Sequence, residues 1–385
     1  MIRFLTAGES HGPGLVTIVE GLPKGLSVAA SDFETELARR RGGHGRGRRM
    51  AVETDEIEIL AGVRHGATLG SPVAVVVRNA EWEKWADVMS VGGEKSGKKI
   101  TRPRPGHADL AGMIKYATDD ARDVLERASA RETAARAVVG TLAKALLGEV
   151  GAAVVSHVVS IGGVWAKGEP PGPDDLDTVD RSAVRCFDPG ASERMVEAID
   201  AAAQAKDTLG GVFEVLAYGV PPGIGSHVHY DRRLDTIIAG SLMSIPAIKG
   251  VEIGDGFELA DQRGSAAHDE IAIEGRGVVR LSNRAGGVEG GMSNGESIRA
   301  RAAMKPLSTL MRPLATVDVS TGKAAKAVRE RSDVCAVPAA AIVGEHMMAI
   351  ALAAEYQRKF GGDTVEEFSA AAIRYQSSIG QSGET

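Results

Sequence analysis

Two short sequence patterns each occur twice in this chain, and this repetition constrains the fold more than any other feature. Residues 21–26 (GLPKGL) are echoed at 219–224 (GVPPGI), and residues 66–73 (GATLGSPV) at 291–298 (GMSNGESI). The offsets are 198 and 225 positions, and the order is the same. Glycine-rich turns resemble each other by chance, but two ordered matches favour duplication. We therefore expect two related halves, roughly 1–150 and 206–335, within one domain covering 1–385, with a connecting segment and C-terminal helices.

Predicted strands and helices alternate along both halves. Residues 73–77 (VAVVV) form a continuous apolar run, which is typical of a buried strand. Apolar residues recur at helical spacing in 131–150, and 338–358 is a second long, alanine-rich helix. The polar stretches 81–99 and 169–180 are expected to be loops. The predicted fold class is α/β in the layered, α+β sense, with a β-α sandwich core and a pseudo-two-fold relation between the halves.

Composition excludes several classes of protein. Lys and Arg total 45 against 51 Asp and Glu, and the net charge of −6 argues against bulk nucleic-acid binding. Cys186 and Cys335 are too few for a disulfide scaffold and lack metal-ligand spacing. No apolar run approaches the ~20 residues of a membrane span, and a predicted strand begins without a preceding signal peptide. We therefore expect a cytoplasmic protein with no metal and with neither membrane nor nucleic acid as a partner.

Two histidines in glycine-containing turns are candidates for proton transfer. Residues 8–14 (GESHGPG) place Ser10 and His11 in a tight turn after the first predicted strand. Residues 102–109 (RPRPGHAD) place His107 beside two arginines, which disfavour its protonated form and suit it to acid or base chemistry near neutrality. A structural turn or a helix cap is the alternative for either histidine alone. Two such turns in one chain favour function.

Arginine and glycine are concentrated in residues 39–49. The segment contains Arg39, Arg40, Arg41, Arg46, Arg48 and Arg49, with His44 and four glycines between them. Arginine forks bind phosphate and carboxylate groups through paired hydrogen bonds. An RNA-binding segment is the alternative, but aromatic residues are not interleaved with the arginines. A small polyanionic ligand is therefore the preferred hypothesis.

Further segments, at 126–133, 283–295, 305–309 and 331–338, carry polar groups of interest. In 126–133 (ERASARET), Ser129 can donate to an anion at a helix start or form a capping box with Glu132, and the two readings are compatible. Residues 283–295 and 305–309 (KPLST) suit a flat or phosphate-bearing ligand, although dinucleotide and Walker fingerprints are missing. In 331–338 (RSDVCAVP), a structural salt bridge is the default interpretation of the charged pair.

Taken together, these segments resemble the chorismate synthase family, in the same order, from 7–12 (AGESHG) to 331–338. Matches at 207–211 (DTLGG) and 248–257 (IKGVEIGDGF) extend the resemblance over nearly the whole chain. It implies a lyase that converts 5-enolpyruvylshikimate 3-phosphate to chorismate by anti-1,4-elimination of phosphate and a ring proton. This reaction is the last step of the shikimate pathway and serves aromatic amino acid biosynthesis. The resemblance also implies a homotetramer.

The cofactor implied by the resemblance is reduced FMN, although the reaction has no net redox change. NADPH and an external flavin reductase are two candidate sources of reduced flavin, and the missing reductase domain favours the external one. The implied flavin contacts are Arg127, Ala128, Ser129, Pro246, Ala247, Gly290, Lys305, Pro306, Leu307, Ser308, Thr309 and Arg331. Position 128 is Ala where many relatives have Ser, so its contact is expected to be through the backbone.

The resemblance also implies roles for individual side chains. His11 would protonate the departing phosphate, and His107 would protonate or stabilise the reduced flavin near N1. Asp333 would assist proton removal near flavin N5, while Ser10 and Ser129 would support a proton relay. The implied anion contacts are Arg40, Arg46, Arg49, Arg104, Arg131 and Arg331. For Arg40 and Arg46, NADP(H) is an alternative ligand to the substrate.

One position and two rival functions remain open at this stage. His44 stands where relatives often have an aromatic residue, and it would add a third titratable imidazole if it lined the pocket. A flavin-dependent oxidoreductase with net hydride transfer is the first rival, but it predicts a nicotinamide site for which no Rossmann fingerprint exists. A non-catalytic polyanion binder is the second, and it predicts steeply salt-dependent binding that survives loss of both histidines.

Overall fold

The computed structural model describes residues 2–47, 55–93, 96–275, 277–330 and 332–380. Two residues of the predicted site, Arg49 and Arg331, lie outside the described residues, as does Arg48. Every structural statement below concerns the described ranges.

The first half contains six strands and four α-helices in the described ranges. In chain order they are β1 (Arg3–Ala7), β2 (Gly14–Glu20), α1 (Ala30–Arg41), β3 (Ile57–Ala61), β4 (Val63–Arg64), β5 (Ala67–Thr68), β6 (Val73–Arg78), α2 (Asp109–Tyr116), α3 (Arg122–Ala128) and α4 (Thr133–Gly148). A 3₁₀ turn at Trp82–Lys84 lies in the long loop after β6. The predicted helix at 131–150 is thus present as α4, and the predicted buried strand as β6.

The remainder of the chain follows a similar order with longer insertions. Its elements are β7 (Ala153–Ile161), β8 (Val164–Trp165), α5 (Leu176–Arg181), α6 (Pro189–Gln204), β9 (Gly211–Tyr218), α7 (Leu234–Met243), β10 (Ile248–Ile253), α8 (Gly264–Ala267), β11 (Ile271–Glu274), β12 (Gly277–Arg280), β13 (Val288–Glu289), β14 (Met292–Ser293), β15 (Ile298–Met304), β16 (Ala315–Asp318), β17 (Lys323–Lys326), α9 (Val337–Phe360) and α10 (Val365–Gly380). The expectation of a loop over 169–180 was partly wrong, because α5 begins at Leu176.

Two antiparallel sheets enclose a layer of helices. The first sheet has the order β1-β2-β6-β3, and the second has the order β10-β15-β9-β7-β8. Helix α4 packs on β2 and on α9, and α9 in turn packs on β7 and β9. Apolar side chains from both sheets and the helices join in one core, which includes Leu15, Val75, Leu142, Phe213 and Met348. The content of helix and strand is therefore mixed and layered, compatible with the expected α/β class.

The order of elements repeats between the halves. Strands β1, β2, β3 and β6 and helix α4 have counterparts in β7, β9, β10 and β15 and helix α9. The first sheet has the order β1-β2-β6-β3, and the matching strands of the second sheet have the order β7-β9-β15-β10. A short hairpin comes directly before one strand of each sheet: β4–β5 precedes β6, and β13–β14 precedes β15.

The two echoed sequence patterns also make matching hydrogen bonds. The hydroxyl of Thr68 donates to the carbonyl of Pro23 at 2.6 Å and accepts from the amide of Leu26 at 2.9 Å. In the second half, the hydroxyl of Ser293 donates to the carbonyl of Pro221 at 2.6 Å and accepts from the amide of Ile224 at 2.8 Å. A hairpin hydroxyl therefore fixes the glycine-proline turn in each half.

Helix α9 is a long, apolar helix of the core. Among the described residues it alone has the length and composition of a membrane-spanning helix, and 94% of its apolar window is buried inside the protein. The sequence expectation that no apolar run approaches this length overlooked it, because Glu345 and His346 interrupt the run. The strands and helices around α9 already cover its apolar surface.

Candidate active site

His11 is held by a carboxylate from a different part of the chain. It lies in the turn between β1 and β2, where Gly8 adopts a φ of +110° and a Cβ would approach the carbonyl of Gly14 to 2.4 Å. The His11 Nδ1 lies 2.9 and 3.0 Å from the two carboxylate oxygens of Glu126, and its backbone amide donates to the same carboxylate at 2.9 Å. Glu126 is the last buried residue of α3. This pairing fixes both the ring and the loop.

Two more side chains complete the cluster around His11. The ring of Trp85 lies against the imidazole with centroids 3.9 Å apart and an interplanar angle of 34°. Arg122 donates to Glu126 at 2.9 Å, and its guanidinium lies 5.2 Å from the Trp85 ring centroid. Burial would raise the pKa of Glu126, but the hydrogen bond and charge of His11 and the charge of Arg122 outweigh it and lower the pKa. Sequence reasoning missed Glu126 as a partner and placed Trp85 only in a loop.

Ser129 connects the His11 turn to a second set of predicted residues. Its hydroxyl donates to Ser10 at 3.1 Å and accepts from the amide of Arg131. The side chain of Arg40 donates to the hydroxyl of Thr133 at 2.9 Å and to the carbonyl before Arg131 at 3.1 Å. Ser10, Arg40 and Arg131 are all buried. The structure thus brings four predicted residues to one turn.

The capping box proposed for this turn is not formed. Ser129 does act as an N-cap, accepting from the backbone of Arg131. The carboxylate of Glu132 instead accepts from Thr6 at 3.2 Å and from Arg136 at 3.0 Å. The capping expectation was wrong for Glu132, because partners from β1 and α4 compete for its carboxylate.

His107 forms a second histidine–carboxylate pair. Its Nδ1 lies 2.5 Å from an oxygen of the fully buried Asp109, and Arg104 donates to the same carboxylate at 2.8 and 3.0 Å. Burial would raise the pKa of Asp109, but hydrogen bonds from His107 and Arg104 lower it well below its usual range. Arg104 also donates to Thr309 at 3.0 Å. This cluster therefore includes three predicted residues.

The sequence expectation for the charges around His107 needs correction. It invoked two flanking arginines, of which only Arg104 contacts the imidazole, at 3.1 Å. The side chain of Arg102 lines a separate cavity. The expectation also left out Asp109, whose carboxylate lies 2.5 Å from Nδ1 and places a negative charge beside the ring. The loop therefore presents an imidazole balanced between one cation and one anion.

The arginine–glycine loop docks against the segment after residue 331. Arg46 donates to Asp333 at 2.6 Å, and the amide of Gly47 donates to the same carboxylate at 2.7 Å. The default expectation of a local charged pair was therefore incomplete, because the partner of Asp333 comes from the other half. His44 turns away from this contact and lies 2.7 Å from Asp200 of α6. That contact gives His44 a role in holding the loop onto α6.

The predicted flavin-binding segments lie at different places. Lys305 follows β15; its amide donates to the carbonyl of Ala247 at 3.0 Å, and its Nζ donates to the carbonyl of Gly106 beside His107 at 2.6 Å. Ala247, next to Pro246, has a left-handed φ of 69°, which is uncommon for a residue other than glycine. Gly290 forms the tip of the β13–β14 hairpin, which pairs with the 219–226 turn. The 246–247 and 305–309 segments therefore meet directly, next to the His107 loop.

Arg127 and Ala128 end helix α3 on the other side of the His11 turn. The guanidinium of Arg127 donates to the hydroxyl and carbonyl of Thr6 at 2.7 and 2.9 Å and to the carbonyl of Gly8 at 3.2 Å. Its side chain is nevertheless 43% exposed. Arg127 thus braces β1 while one side of its guanidinium stays open to a ligand.

The arrangement offers proton transfer and anion binding. Each of the two imidazoles has one nitrogen bound to a carboxylate, which fixes the orientation of the ring. Arginines and a lysine nearby can neutralise an anionic ligand. In the described ranges, His, Cys, Asp and Glu do not form a group of three or more suited to a metal ion.

Comparison with known proteins gives one family. A family model described as chorismate synthase matches residues 2–356. A chorismate synthase of Frankia casuarinae is 62% identical over 379 residues, covering 95% of this chain and 96% of that protein. One of Thermobifida fusca is 57% identical over 378 residues, with the same coverage of 95% and 96%. A solved structure described as a crystal structure of chorismate synthase superposes with a TM-score of 0.79 at 41% identity, covering 100% of this chain and 99% of that one.

Proposed function

The chain belongs to the chorismate synthase family, and we propose how its two histidine–carboxylate pairs serve that reaction. The family match over residues 2–356 confirms the resemblance seen in the sequence. The chain is a lyase that releases phosphate from 5-enolpyruvylshikimate 3-phosphate to give chorismate, in the shikimate pathway. The assignments of flavin and individual residues below are proposals. The pairing of His11 with buried Glu126 is the observation that carries them.

His11 is the proposed proton donor to the departing phosphate. Glu126 accepts from Nδ1 and so fixes the orientation of the imidazole that would pass its proton to the phosphate. Trp85 covers one face of the ring and limits its rotation. The hydrogen bond between Ser129 and Ser10 gives a relay path beside His11. Arg40 and Arg131 are the proposed anion contacts on this side. Arg49, which lies outside the described residues, is kept as a further proposed anion contact.

Asp333 is the proposed acceptor for the ring proton. The amide of Gly47 and the guanidinium of Arg46 fix its carboxylate. Arg46 is also proposed to contact the substrate, in preference to NADP(H), because its contact with Asp333 places it beside the acceptor. The anionic substrate would then meet a cation and a base held by the same loop.

The residues present suit a reduced flavin at the His107 side. Partial burial and the neighbouring Lys249 lower the pKa of Lys305, which indicates positive charge without a compensating carboxylate. An anionic ring or a phosphate would relieve this repulsion. Bound reduced FMN supplies an electron transiently and recovers it, so the reaction has no net redox change. The holders we propose are His107, Arg127, Ala128, Ser129, Pro246, Ala247, Gly290, Lys305, Pro306, Leu307, Ser308, Thr309 and Arg331.

We further propose a cytoplasmic homotetramer that receives reduced flavin from NADPH or from an external flavin reductase. Both free cysteines are buried, as suits a reducing compartment. The outer face of the first sheet is apolar, with Leu5 and Ile18 paired across β1 and β2 and exposed together with Leu60. Such a face fits contact with another copy of the chain.

An internal duplication is the proposed origin of the two halves. The repeated order of strands and the matching hydroxyl hydrogen bonds of Thr68 and Ser293 support it. The proposed pseudo-two-fold relation concerns the sheets and turns alone. The connection that carries His11 between β1 and β2 corresponds to a longer one, with α5 and α6, between β7 and β9.

The test is an anaerobic reaction of the purified protein with 5-enolpyruvylshikimate 3-phosphate and FMN, with and without dithionite. We expect chorismate with reduced flavin and none with oxidised flavin. Replacing dithionite with NADPH then decides whether the chain reduces its own flavin. Hydride transfer to substrate, or no chorismate from folded protein with bound reduced flavin, would contradict the proposed chemistry and favour the oxidoreductase alternative.

A further inference from the structure

A cavity lies beside the His107 loop, and its lining residues are not among those assigned to the reaction above. Its volume is about 710 Å³, within the range of small-molecule sites. Five basic residues line it: Arg102, Lys206, Arg312, Lys326 and Arg329. Met311, Pro313 and Val328 add apolar surface. We refer to this cavity as the basic pocket.

The walls of the basic pocket come from distant parts of the chain. The amide of Arg312 donates to the carbonyl of Lys206 at 3.2 Å, and the amide of Val328 donates to the carbonyl of Arg102 at 3.2 Å. The amide of residue 327 donates to the carbonyl of Leu314 at 3.0 Å. Backbone hydrogen bonds thus hold the segments that carry the cations in a fixed arrangement.

The positive charge of the basic pocket is not neutralised within the described part of the chain. Carboxylates are absent from its lining, and its five cations make no ion pair there. The charge of Arg102 reaches Asp318, whose pKa is lowered chiefly by a hydrogen bond from Ser320 and less by Arg102. Concentrating cations in this way is unfavourable unless an anion binds, and it is notable in a chain of net charge −6.

The basic pocket adjoins the candidate site without sharing its residues. Arg102 lies two positions before Arg104, and Met311 lies two positions after Thr309. We propose that the basic pocket binds a phosphorylated organic anion at a site separate from the reaction centre. The cations would contact the phosphate groups, while Met311 and Val328 would contact the organic portion. The phosphorylated substrate and a nucleotide share this chemistry.

Anion binding can be tested without turnover, so its failure is distinguishable from failure of the proposed reaction. Titration calorimetry would use the full chain with saturating FMN and pyrophosphate as the probe. The variant is Arg312→Gln with Lys326→Gln. The control is Arg232→Gln with Lys323→Gln, which removes the same charge at exposed positions outside the pocket. We expect the pocket variant to weaken pyrophosphate binding by about tenfold or more, and the control by less than about twofold. The affinity of the wild-type chain should fall as salt is raised.

Competition then identifies the source of the organic anion. Separate titrations add 5-enolpyruvylshikimate 3-phosphate or NADPH to the pyrophosphate complex. The physiological ligand belongs to the class that displaces pyrophosphate from the basic pocket of the wild-type chain, and anion contact at the control positions 232 and 323 should not respond. Two results would overturn the proposal. They are no pyrophosphate binding to the folded, FMN-saturated protein, and equal weakening in the pocket variant and the control. Failure of both organic anions to compete would overturn the proposal that the bound anion is organic.

Discussion

Two buried clusters in this molecule contain the same pair of groups, an imidazole hydrogen-bonded to a glutamate, and serve different ends. In the core, His346 lies 2.9 Å from Glu36, and in the candidate site His11 lies 2.9 Å from Glu126. We call the first the core cluster and the second the His11 cluster. A histidine–carboxylate distance alone therefore does not distinguish a structural pair from a catalytic one.

The core cluster is closed by further charges on every side. Glu345 of α9 accepts from Arg39 at 2.7 Å, from Lys144 at 2.6 Å and from Ser156 at 3.0 Å. Lys144 also donates to Glu36 at 2.6 Å. The partners come from α1, α4 and β7, so the cluster ties the helix layer to the second sheet. Its charges are matched inside the protein.

Accessibility separates the two imidazoles. The side chain of His346 is 0% exposed, and Gly140 lies so close that an added Cβ would meet the His346 ring at 2.5 Å. The side chain of His11 is 13% exposed, with Trp85 on one face of the ring. Burial lowers the pKa of His346, which keeps that ring neutral. A site thus requires an imidazole that a ligand can reach, in addition to its carboxylate partner.

Removing the imidazole of each cluster in turn should give the largest difference between the His11 cluster and the core cluster. His11→Ala is expected to lower the rate of chorismate formation by ~10²–10⁴, the usual contribution of a general acid, with FMN binding retained. His346→Asn should leave the rate per folded molecule nearly unchanged and should lower stability. Anaerobic assays with reduced FMN measure the first effect, and His229→Ala, at an exposed histidine–carboxylate pair outside the site, is the matched control. Near-normal turnover of His11→Ala would remove His11 from the proposed role.

The core glutamate should matter most for stability. Glu345→Gln removes the buried carboxylate that Arg39 and Lys144 share and leaves excess positive charge in the core cluster. Breaking a buried ion pair costs about 3–5 kcal/mol of unfolding free energy. Denaturant unfolding with two spectroscopic probes measures it. The exposed pair of Glu58 and Arg78 supplies a control, because Glu58→Gln should change stability by less than ~1 kcal/mol. Equal effects at the two sites would show that the core cluster is not a stabilising element.

Glu126 should affect turnover more than stability. Because it acts through His11, Glu126→Gln is expected to lower the rate by about tenfold to a hundredfold, less than loss of the imidazole itself. It should also change the pH dependence of the rate, since the carboxylate that contacts the proposed proton donor has been replaced. A rate profile over pH measures both. An unchanged profile with an unchanged rate would leave Glu126 a purely structural partner.

Lowering the pH should destabilise the protein through the core cluster. Burial would raise the pKa of Glu345, but Lys144 and Arg39 outweigh it, so the folded pKa lies well below the ordinary value of 4.5. The stability from such a carboxylate is present above its unfolded pKa and is lost as pH falls toward the folded one. Burial also lowers the pKa of His346 below 6.5, so the unfolded ring takes up a proton first as pH falls.

Denaturant unfolding between about pH 7 and about pH 4 should therefore show a continuous decline in the free energy of unfolding. The slope is expected to reach at most ~1.4 kcal/mol per pH unit for each titrating group. His346→Asn should flatten the part between about pH 6.5 and about pH 5, and Glu345→Gln should flatten the part below about pH 4.5. A slope that both variants leave unchanged would place the pH-sensitive groups elsewhere.

Local patterns in the sequence predicted the parts of this protein that depend on near neighbours. The apolar run of β6, the periodicity of α4, the glycine turns at His11 and the two echoed segments all follow from residues close together in the chain. The segments that identify the family are local in the same sense. Each can be recognised without knowing where the rest of the chain lies, because turns, helix faces and strand faces are set over a few residues.

The tertiary structure alone decided which groups meet. His11 and Glu126 are separated by 115 residues, and Arg46 and Asp333 by 287. Sequence reasoning selected His11, Arg46 and Asp333 but left out Glu126, kept His44 as a candidate for the pocket and grouped Arg102 with His107. A charged side chain binds whichever partner the chain path brings within about 3 Å. That choice depends on how the two sheets enclose the helices, and the spacing of residues along the chain does not contain it.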